Sequence, residues 1–350
     1  MKIGNFDLDN GKAFIIAELS ANHNHDLAIA IQTIKAAKDA GANAIKLQTY
    51  RADTITIDAK LDDFRIKQDT LWDGKYFYDL YQEAYTPWEW HETLFKVAEE
   101  VGLVCFSSPF DPTAVEFLEN LNTPAYKIAS FEITDIPLIE LVASKGKPVI
   151  ISTGIATEED IQLAVKACRT QNNNQVALLK CTSSYPAPFN EANMVMVKDL
   201  AERFGVIPGL SDHTLGITVP VVAICFGAKI IEKHFILDRS IGGPDAAFSL
   251  DVAEFTAMVN AVRIAEQAIG KVDYSLTEKQ KKGREFSRSL YVVKDIKKGE
   301  VITTENVRSI RPGYGLHPKY LKNILGKKVR QDLNFGTRMN LDFINADNQD

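Results

Sequence analysis

At 350 residues the chain exceeds an ordinary single domain and suits one barrel of roughly 250 residues plus a small appendage. Its 45% hydrophobic and 25% charged content excludes a disordered or fibrous chain, and a net charge of −6 argues against a nucleic-acid partner. Met1 to Asn10 lacks an apolar signal core, and the richest apolar stretch, 217–236, is broken by Pro220, Lys229, Glu232 and Lys233, so neither secretion nor membrane spanning is expected.

Charge is uneven. Residues 281–350 hold 15 Lys+Arg against 8 Asp+Glu, about +7, which leaves about −13 for the rest. A basic appendage can cover an anionic substrate or simply present solvated lysines. The four cysteines, Cys105, Cys168, Cys181 and Cys225, are widely spaced without a CxxC, which reads as buried reduced thiols in a cytoplasmic protein.

Eight short apolar runs, 13–20, 44–49, 103–110, 125–130, 148–154, 176–183, 207–214 and 229–235, recur through the first 235 residues, most followed by a helix-period segment. Near-continuous β-branched runs suit strands buried on both faces of a parallel sheet. Asp26 is placed to cap a helix with Ile31, Ile34 and Ala37 on one face and Gly41 as its left-handed stop. Asp251 and Glu254 form a capping box before a stripe of Val252, Phe255, Val259, Val262 and Ile269 that ends at Gly270. Eight strand-helix units ending there predict an α/β fold, a closed (β/α)8 TIM barrel.

The connection 50–86 is too long for an ordinary strand-helix loop and carries Trp72, Tyr76, Phe77, Tyr78, Tyr81 and Tyr85. It reads either as an aromatic wall or lid for a sugar, or as a helical insertion packing its rings on the barrel. A polar stretch, 271–285, leads to a repeated pattern, Asp295-Ile-Lys-Lys-Gly299-Glu-Val-Ile302 and Asp332-Leu-Asn-Phe-Gly336-Thr-Arg-Met339, which predicts a small duplicated β module with matched glycine turns.

In a barrel of this kind the reactive side chains project from the C-terminal strand ends. Here those ends are polar: Glu18, Lys46, Gln48, Ser107, Lys127, Ser130, Ser152, Thr153, Ser183, Ser211, Asp212, His213 and His234. Charge inside apolar strands is costly unless paired or functional. His213 and His234 end neighbouring runs and can converge on one divalent ion, with Mn²⁺, Mg²⁺ and Zn²⁺ all suited, or serve as hydrogen-bonded core histidines. Lysines and serines around one mouth suit phosphate and carboxylate oxygens. Glu18 can act as general acid or base, or merely pair with Lys46. A Schiff-base aldolase using Lys127 or Lys46 is the competing enzyme class.

The segments Ile16-Ala-Glu-Leu-Ser-Ala-Asn-His23, Ala44-Ile-Lys-Leu-Gln-Thr49, Tyr126-Lys-Ile-Ala-Ser130, Ser152-Thr-Gly154, Gly209-Leu-Ser-Asp-His-Thr214 and Glu232-Lys-His-Phe235 resemble, in order, the motifs of the sialic acid synthase family. Ser287-Arg-Ser-Leu-Tyr291, Lys294-Asp-Ile-Lys-Lys-Gly299 and Arg311-Pro-Gly-Tyr-Gly-Leu-His-Pro318 resemble its antifreeze-like (SAF, β-clip) domain. The resemblance implies a barrel domain over 1–275, a linker over 276–286 and the SAF-like domain over 287–350.

It further implies condensation of phosphoenolpyruvate with an open-chain amino sugar, assisted by a divalent metal, Mn²⁺ first and Mg²⁺ or Co²⁺ as substitutes. His213 and His234 would hold the metal, and Glu18, His213, Asp245 and Arg311 would be catalytic. Lys46, Lys127, Ser130, Ser152, Ser183 and Ser211 would hold phosphoenolpyruvate, while Gln48, Glu132, Tyr185 and Asp245 would face the sugar or a metal-bound water. Arg311 would enter the site of the second subunit in a domain-swapped homodimer, with no nucleic acid or membrane as partner.

One departure is visible: Cys181-Thr-Ser-Ser-Tyr185 carries Ser183 where family members often have Asn, a donor of longer reach. Within the family, Ser20-Ala-Asn-His23, Leu71-Trp-Asp-Gly74 and Thr86-Pro-Trp-Glu-Trp-His91 resemble the branch that makes pseudaminic acid; N-acetylneuraminic and legionaminic acid branches share the chemistry. An ice-binding or adaptor role for the tail is set against the polar strand ends, which such a role leaves unexplained.

Overall fold

A computed structural model describes residues 1–67 and 71–345; residues 68–70, inside the long connection, and 346–350, at the end of the expected SAF-like domain, lie outside the described residues. Two compact units result, Met1–Gly270 and Lys271–Asp350. In the first, eight parallel strands close into a barrel: β1 Phe14–Glu18, β2 Ala44–Thr49, β3 Val104–Pro109, β4 Tyr126–Ile128, β5 Val149–Ser152, β6 Val176–Cys181, β7 Ile207–Asp212 and β8 Ile230–His234. Strand β8 pairs with β1 in register His234 to Glu18, which seals the ring. The eight apolar runs are these strands; β4 is the short one, so Ser130 sits beyond it in a 3-10 turn.

Strand alternation divides the residues between two surfaces. Outward positions such as Ile15, Ile45, Ile128, Ile151, Leu178 and Ile231 pack under the helices. Inward positions form a separate cluster of Phe14, Ile16, Ala44, Val104, Phe106, Ile150, Ala177, Leu179 and Ile230 in the lower barrel. A hairpin of Lys2–Ile3 and Phe6–Asp7 adds Ile3 and Leu8 to that cluster, with the Phe6 ring tilted against Phe14 at 4.9 Å. The polar composition of Met1 to Asn10 concealed this plug, because only alternate residues contribute to it.

The helices are α1 Leu27–Asp39, α2 His91–Glu100, α3 Pro112–Asn120, α4 Ile136–Ser144, α5 Glu158–Thr170, α6 Met196–Phe204, α7 Thr218–Cys225 and α8 Val252–Ile269. Asp26 caps α1 by accepting from the Ala28 and Ile29 amides, and Gly41 follows it at φ +91°. The Asp251–Glu254 capping box opens α8. Phe255, Val259 and Val262 are buried as expected, but Ile269 is exposed because the last turn of α8 runs past the core. Cys225 likewise corrects the reading of four buried thiols: it ends α7 on the surface, while the other three are buried.

The long connection is part helical, with Ala52–Ile55 and Phe77–Ala84, and part a turn in which the Ile66 amide donates to the Lys75 carbonyl and Gly74 takes φ +89°. Its rings divide between the two readings: Tyr81 packs on Tyr50 at 5.8 Å, whereas Trp72 reaches Tyr185 at 5.5 Å.

In the second unit β9 Ser289–Val292 pairs antiparallel with β10 Val307–Ile310. The repeated pattern is a reciprocal one. Ile296 and Leu333 exchange both backbone hydrogen bonds at 2.8 Å, Asp332 accepts from the Lys298 amide, and Asp295 accepts from the Phe335 amide. Gly299 and Gly336 turn at φ +87° and +83°, and Ile296, Ile302, Leu333 and Met339 fill one core.

Candidate active site

Above the apolar cluster lies a ring with one inward polar side chain from each strand, Glu18, Lys46, Ser108, Lys127, Ser152, Cys181, Ser211 and Glu232, all buried, with Gln48 and His234 one step further up β2 and β8. Two cations and two carboxylates lie at its centre. Lys46 contacts Glu18 directly and lies 3.5 Å from Glu232, which is 3.9 Å from Lys127. Lys127 donates to Ser152 Oγ at 2.6 Å and to the Ile128 carbonyl at 2.9 Å, and Ser211 donates to Glu232 at 3.1 Å.

These groups do not ionise alike. Burial pushes Glu18 up to about 7 against the pull of Lys46, with Glu232 pushing the same way. Burial also raises Glu232, yet Lys127, Lys46 and Ser211 outweigh it and hold that carboxyl below its ordinary value. Lys127 is lowered, chiefly by burial. For Lys46 burial acts downward too, but Glu18 and Glu232 leave its ammonium raised. The arrangement is one firmly ionised carboxylate, one poised near neutrality and two lysines on the same floor.

Ser130, Ser183 and Cys181 converge on Gly154. A Cβ there would fall 2.7 Å from Ser130 Oγ and 3.1 Å from Cys181 Sγ, and closer still to Ser183 Oγ. The Gly154 amide donates to Ser130 at 3.2 Å. The absence of a Cβ lets three polar side chains close in on this position, giving a cradle of two hydroxyls and a thiol beside Lys127.

The imidazoles of His213 and His234 lie 5.3 Å apart between centroids. His213 Nδ1 faces the Thr182 carbonyl at 3.1 Å, which leaves Nε2 as its free nitrogen. His234 Nδ1 is buried without a hydrogen-bond partner, with Asp245 Oδ2 4.0 Å away. Burial holds His234 well below the usual range. At His213 burial is outweighed by Cys181 3.8 Å away, and that thiol, raised by burial, is brought down to about 7 by His213. Among the described residues no group of three or more His, Cys, Asp and Glu side chains is arranged for an ion. The two imidazoles could hold a metal, His234 as a neutral ligand and His213 through Nε2 once it gives up the proton that Cys181 favours, with water or substrate oxygens completing the shell.

Asp245 comes from the loop between β8 and α8, contacts Ser20 and accepts from the Ala21 amide at 3.2 Å. Burial raises its carboxyl. Tyr185 packs, tilted, with its ring centroid 4.4 Å from His213 and 5.0 Å from Phe248. Glu132 lies in the turn after β4 with Oε2 shut off from solvent and unpartnered, and burial pushes it up to about 7. Gln48 is half-buried on the inward face of β2.

Three strand-end residues do not belong to the site. Ser107 and Asp212 point outward between strand and helix: Ser107 lies 2.7 Å from Thr49, and Asp212 pairs with Lys233 at 2.6 Å. Thr153 donates its hydroxyl to the Leu179 carbonyl. Arg311, exposed after β10, belongs to the second unit. Glu232, Ser108 and Cys181 were absent from the candidate site residues read from the sequence, although alternation exposes the first: it lies two residues before His234 and so on the same face.

Comparison with known proteins agrees with this frame. A model of the NeuB family matches residues 33–274 and one of the SAF domain matches 287–337. The chain belongs to the NeuB family. It is 51% identical over 336 residues to the pseudaminic acid synthase of Campylobacter jejuni strain 81-176, covering 96% of this chain and 97% of that protein. Identity to the pseudaminic acid synthase of Helicobacter pylori is 49% over 331 residues, 94% of this chain and 97% of the other. The N-acetylneuraminic acid synthetase structure of Leptospira borgpetersenii superposes with a TM-score of 0.72 at 29% identity, over 82% of this chain and 95% of that one. This NeuB-family chain therefore carries the sialic acid synthase architecture from barrel to SAF domain.

Proposed function

We propose that the chain condenses phosphoenolpyruvate with 2,4-diacetamido-2,4,6-trideoxy-L-altropyranose, in its open-chain form, and water to give pseudaminic acid and phosphate. The observation that carries the reaction type is the paired-lysine floor beside the Gly154 hydroxyl cradle, adjoining the two facing imidazoles. The identity of about half over nearly the whole chain to two pseudaminic acid synthases supports the sugar.

Phosphoenolpyruvate is a small polyanion, and Lys127, Lys46, Ser130, Ser152, Ser183 and Ser211 offer it donors in a water-poor pocket. C3 of the enol bonds to the aldehyde carbon, the aldehyde oxygen takes up a proton, water adds to C2 with loss of protons, and phosphate leaves with the C2–O bond pair. Glu18, with a carboxyl near neutrality, suits the proton transfers. His213 and His234 would hold the divalent metal, Mn²⁺ by preference, whose chemistry when bound is to polarise a carbonyl. Asp245, fixed by Ser20 and Ala21, would orient water or sugar hydroxyls. A cytoplasmic homodimer in which Arg311 of the partner subunit completes the site belongs to the same proposal, supported by the motif resemblance; among the described residues no helix is long and apolar enough to cross a membrane.

Phosphate release from phosphoenolpyruvate, measured with this sugar, with N-acetylmannosamine and with the legionaminic acid precursor, decides the substrate: fastest turnover of either of the latter would overturn the assignment. Chelation should abolish activity and Mn²⁺ restore it. The lowered Lys127 favours one rival, the Schiff-base aldolase, which predicts full activity after chelation and covalent trapping by borohydride with a carbonyl substrate.

A further inference from the structure

Trp72, on the insertion after β2, reaches the site. Trp72 lies 5.5 Å from Tyr185, which is itself 4.4 Å from His213 and 5.0 Å from Phe248. These rings step from buried Phe248 through half-buried Tyr185 to half-buried Trp72 on a surface turn. The turn is built to hold that position: the Lys75 amide donates to the Trp72 carbonyl at 3.1 Å, the Gly74 amide donates to Ile66 at 2.9 Å, and Gly74 adopts φ +89°. A tryptophan presented by a backbone-fixed turn is a preformed surface and not a solvated side chain.

We propose that Trp72 is a specificity-determining residue for the sugar, reading its apolar, deoxygenated end. The inference rests on the proposed reaction, which places the aldehyde carbon beside His213 and His234. From there a six-carbon chain would run outward along one wall of rings, Tyr185 and then Trp72, with the carboxyl of Glu132 close enough to Tyr185 to act on its phenol. Aromatic faces accept methyl and other C–H surface, whereas a hydroxyl pressed on them loses water without gaining a partner. A C6 methyl and an acetamido methyl therefore fit the ring wall, and a 6-hydroxymethyl end does not. Glu132 is left to accept from hydroxyl or amide donors. Hydrophobic walls discriminate a methyl from a hydroxylated end by up to about 100-fold, which sets the scale of the effect.

The test is steady-state kinetics of the full-length enzyme with Mn²⁺, comparing 2,4-diacetamido-2,4,6-trideoxy-L-altropyranose with N-acetylmannosamine, for the parent, Trp72→Ala and Trp72→Phe. Trp72→Ala should lower kcat/KM for the 6-deoxy sugar by roughly 10- to 100-fold, mainly through KM, and change N-acetylmannosamine less than about threefold. KM for phosphoenolpyruvate should stay unchanged, and Trp72→Phe should recover most of the loss. A parallel fall for both sugars, or an unaltered ratio, overturns the inference. Should Trp72→Ala fail to fold, an unaltered ratio in Trp72→Phe combined with unaltered KM for both sugars overturns it equally. If the parent itself prefers N-acetylmannosamine, the failure lies in the proposed substrate and is visible before any variant is made.

Discussion

The lower and upper halves of the barrel interior are built on the same strands and the same alternation, yet they hold opposite chemistry. Below, Phe14, Ile16, Phe106, Ile150, Leu179 and Ile230 fill space with carbon. Two residues further along each strand, Glu18, Lys46, Lys127, Ser152, Ser211 and Glu232 fill it with charge and hydroxyl. A carbon-filled interior would be the more stable choice throughout, because burying ions costs several kcal/mol each unless their partners repay it. The upper half therefore records a function set against stability, and the largest test of that contrast is Lys127→Met. Melting should move by less than about 2 kcal/mol, since Glu232 keeps Lys46 and Ser211. Phosphate release should fall roughly 10³-fold in kcat/KM. Activity surviving at parental levels would make the polar ring structural.

A second buried pair sharpens the comparison because it has the same ions on the other side of the sheet. Lys233 and Asp212 are fully buried at 2.6 Å, but outward, against the helices. Lys233→Met leaves Asp212 without its cation, so stability should drop by roughly 3–5 kcal/mol by denaturant melt. Turnover per folded molecule should remain near that of the parent. A loss of turnover as large as that of Lys127→Met would erase the distinction between the two faces.

Glu132 marks the rim where the polar half opens. Its carboxyl is pushed from 4.5 up to about 7 by burial, so the folded state binds a proton that the unfolded state has released between those values. Stability contributed by the neutral form is thus full below about pH 4.5 and lost as pH rises through 7. Glu132→Gln should equal the parent in acid and exceed it by about 2–3 kcal/mol above pH 8. Parallel stability curves over the whole range would show that Glu132 is solvated.

Much of this division was legible in the sequence. Eight β-branched runs fixed the barrel, and polar ends on apolar strands marked the mouth, because nothing but function or pairing explains a lysine at 46 or 127. Strand ends alone do not say which face a side chain takes. That is why Ser107 and Asp212 were grouped with the site while Glu232 was passed over, an error that strict two-residue alternation from His234 would have removed. Trp72 could not be placed against Tyr185 from spacing, since the contact joins loops separated by over a hundred residues and depends on the closure of the barrel. Nor does the composition of Met1 to Asn10 suggest the hairpin plug, whose register puts Ile3 under the barrel.

The finest test of the two halves uses one methyl group in each. Gly209 in β7 lies in the lower interior, where an added Cβ would meet the Ile230 carbonyl at 2.7 Å and Ile230 Cβ at 2.9 Å. Backbone of a paired strand cannot step aside, so Gly209→Ala should cost about 1–2 kcal/mol of stability while leaving kcat/KM of the folded enzyme intact. Gly154 lies in the upper half, where the atoms nearest the same methyl would be the hydroxyls of Ser130 and Ser183 and the thiol of Cys181. Those groups can rotate away, so Gly154→Ala should melt within about 1 kcal/mol of the parent. The rotation removes the donors from the cradle, and KM for phosphoenolpyruvate should rise roughly tenfold, the cost of about one good hydrogen bond. An inverted result, with Gly209→Ala losing turnover and Gly154→Ala losing stability, would mean that packing and chemistry are not separated along these strands.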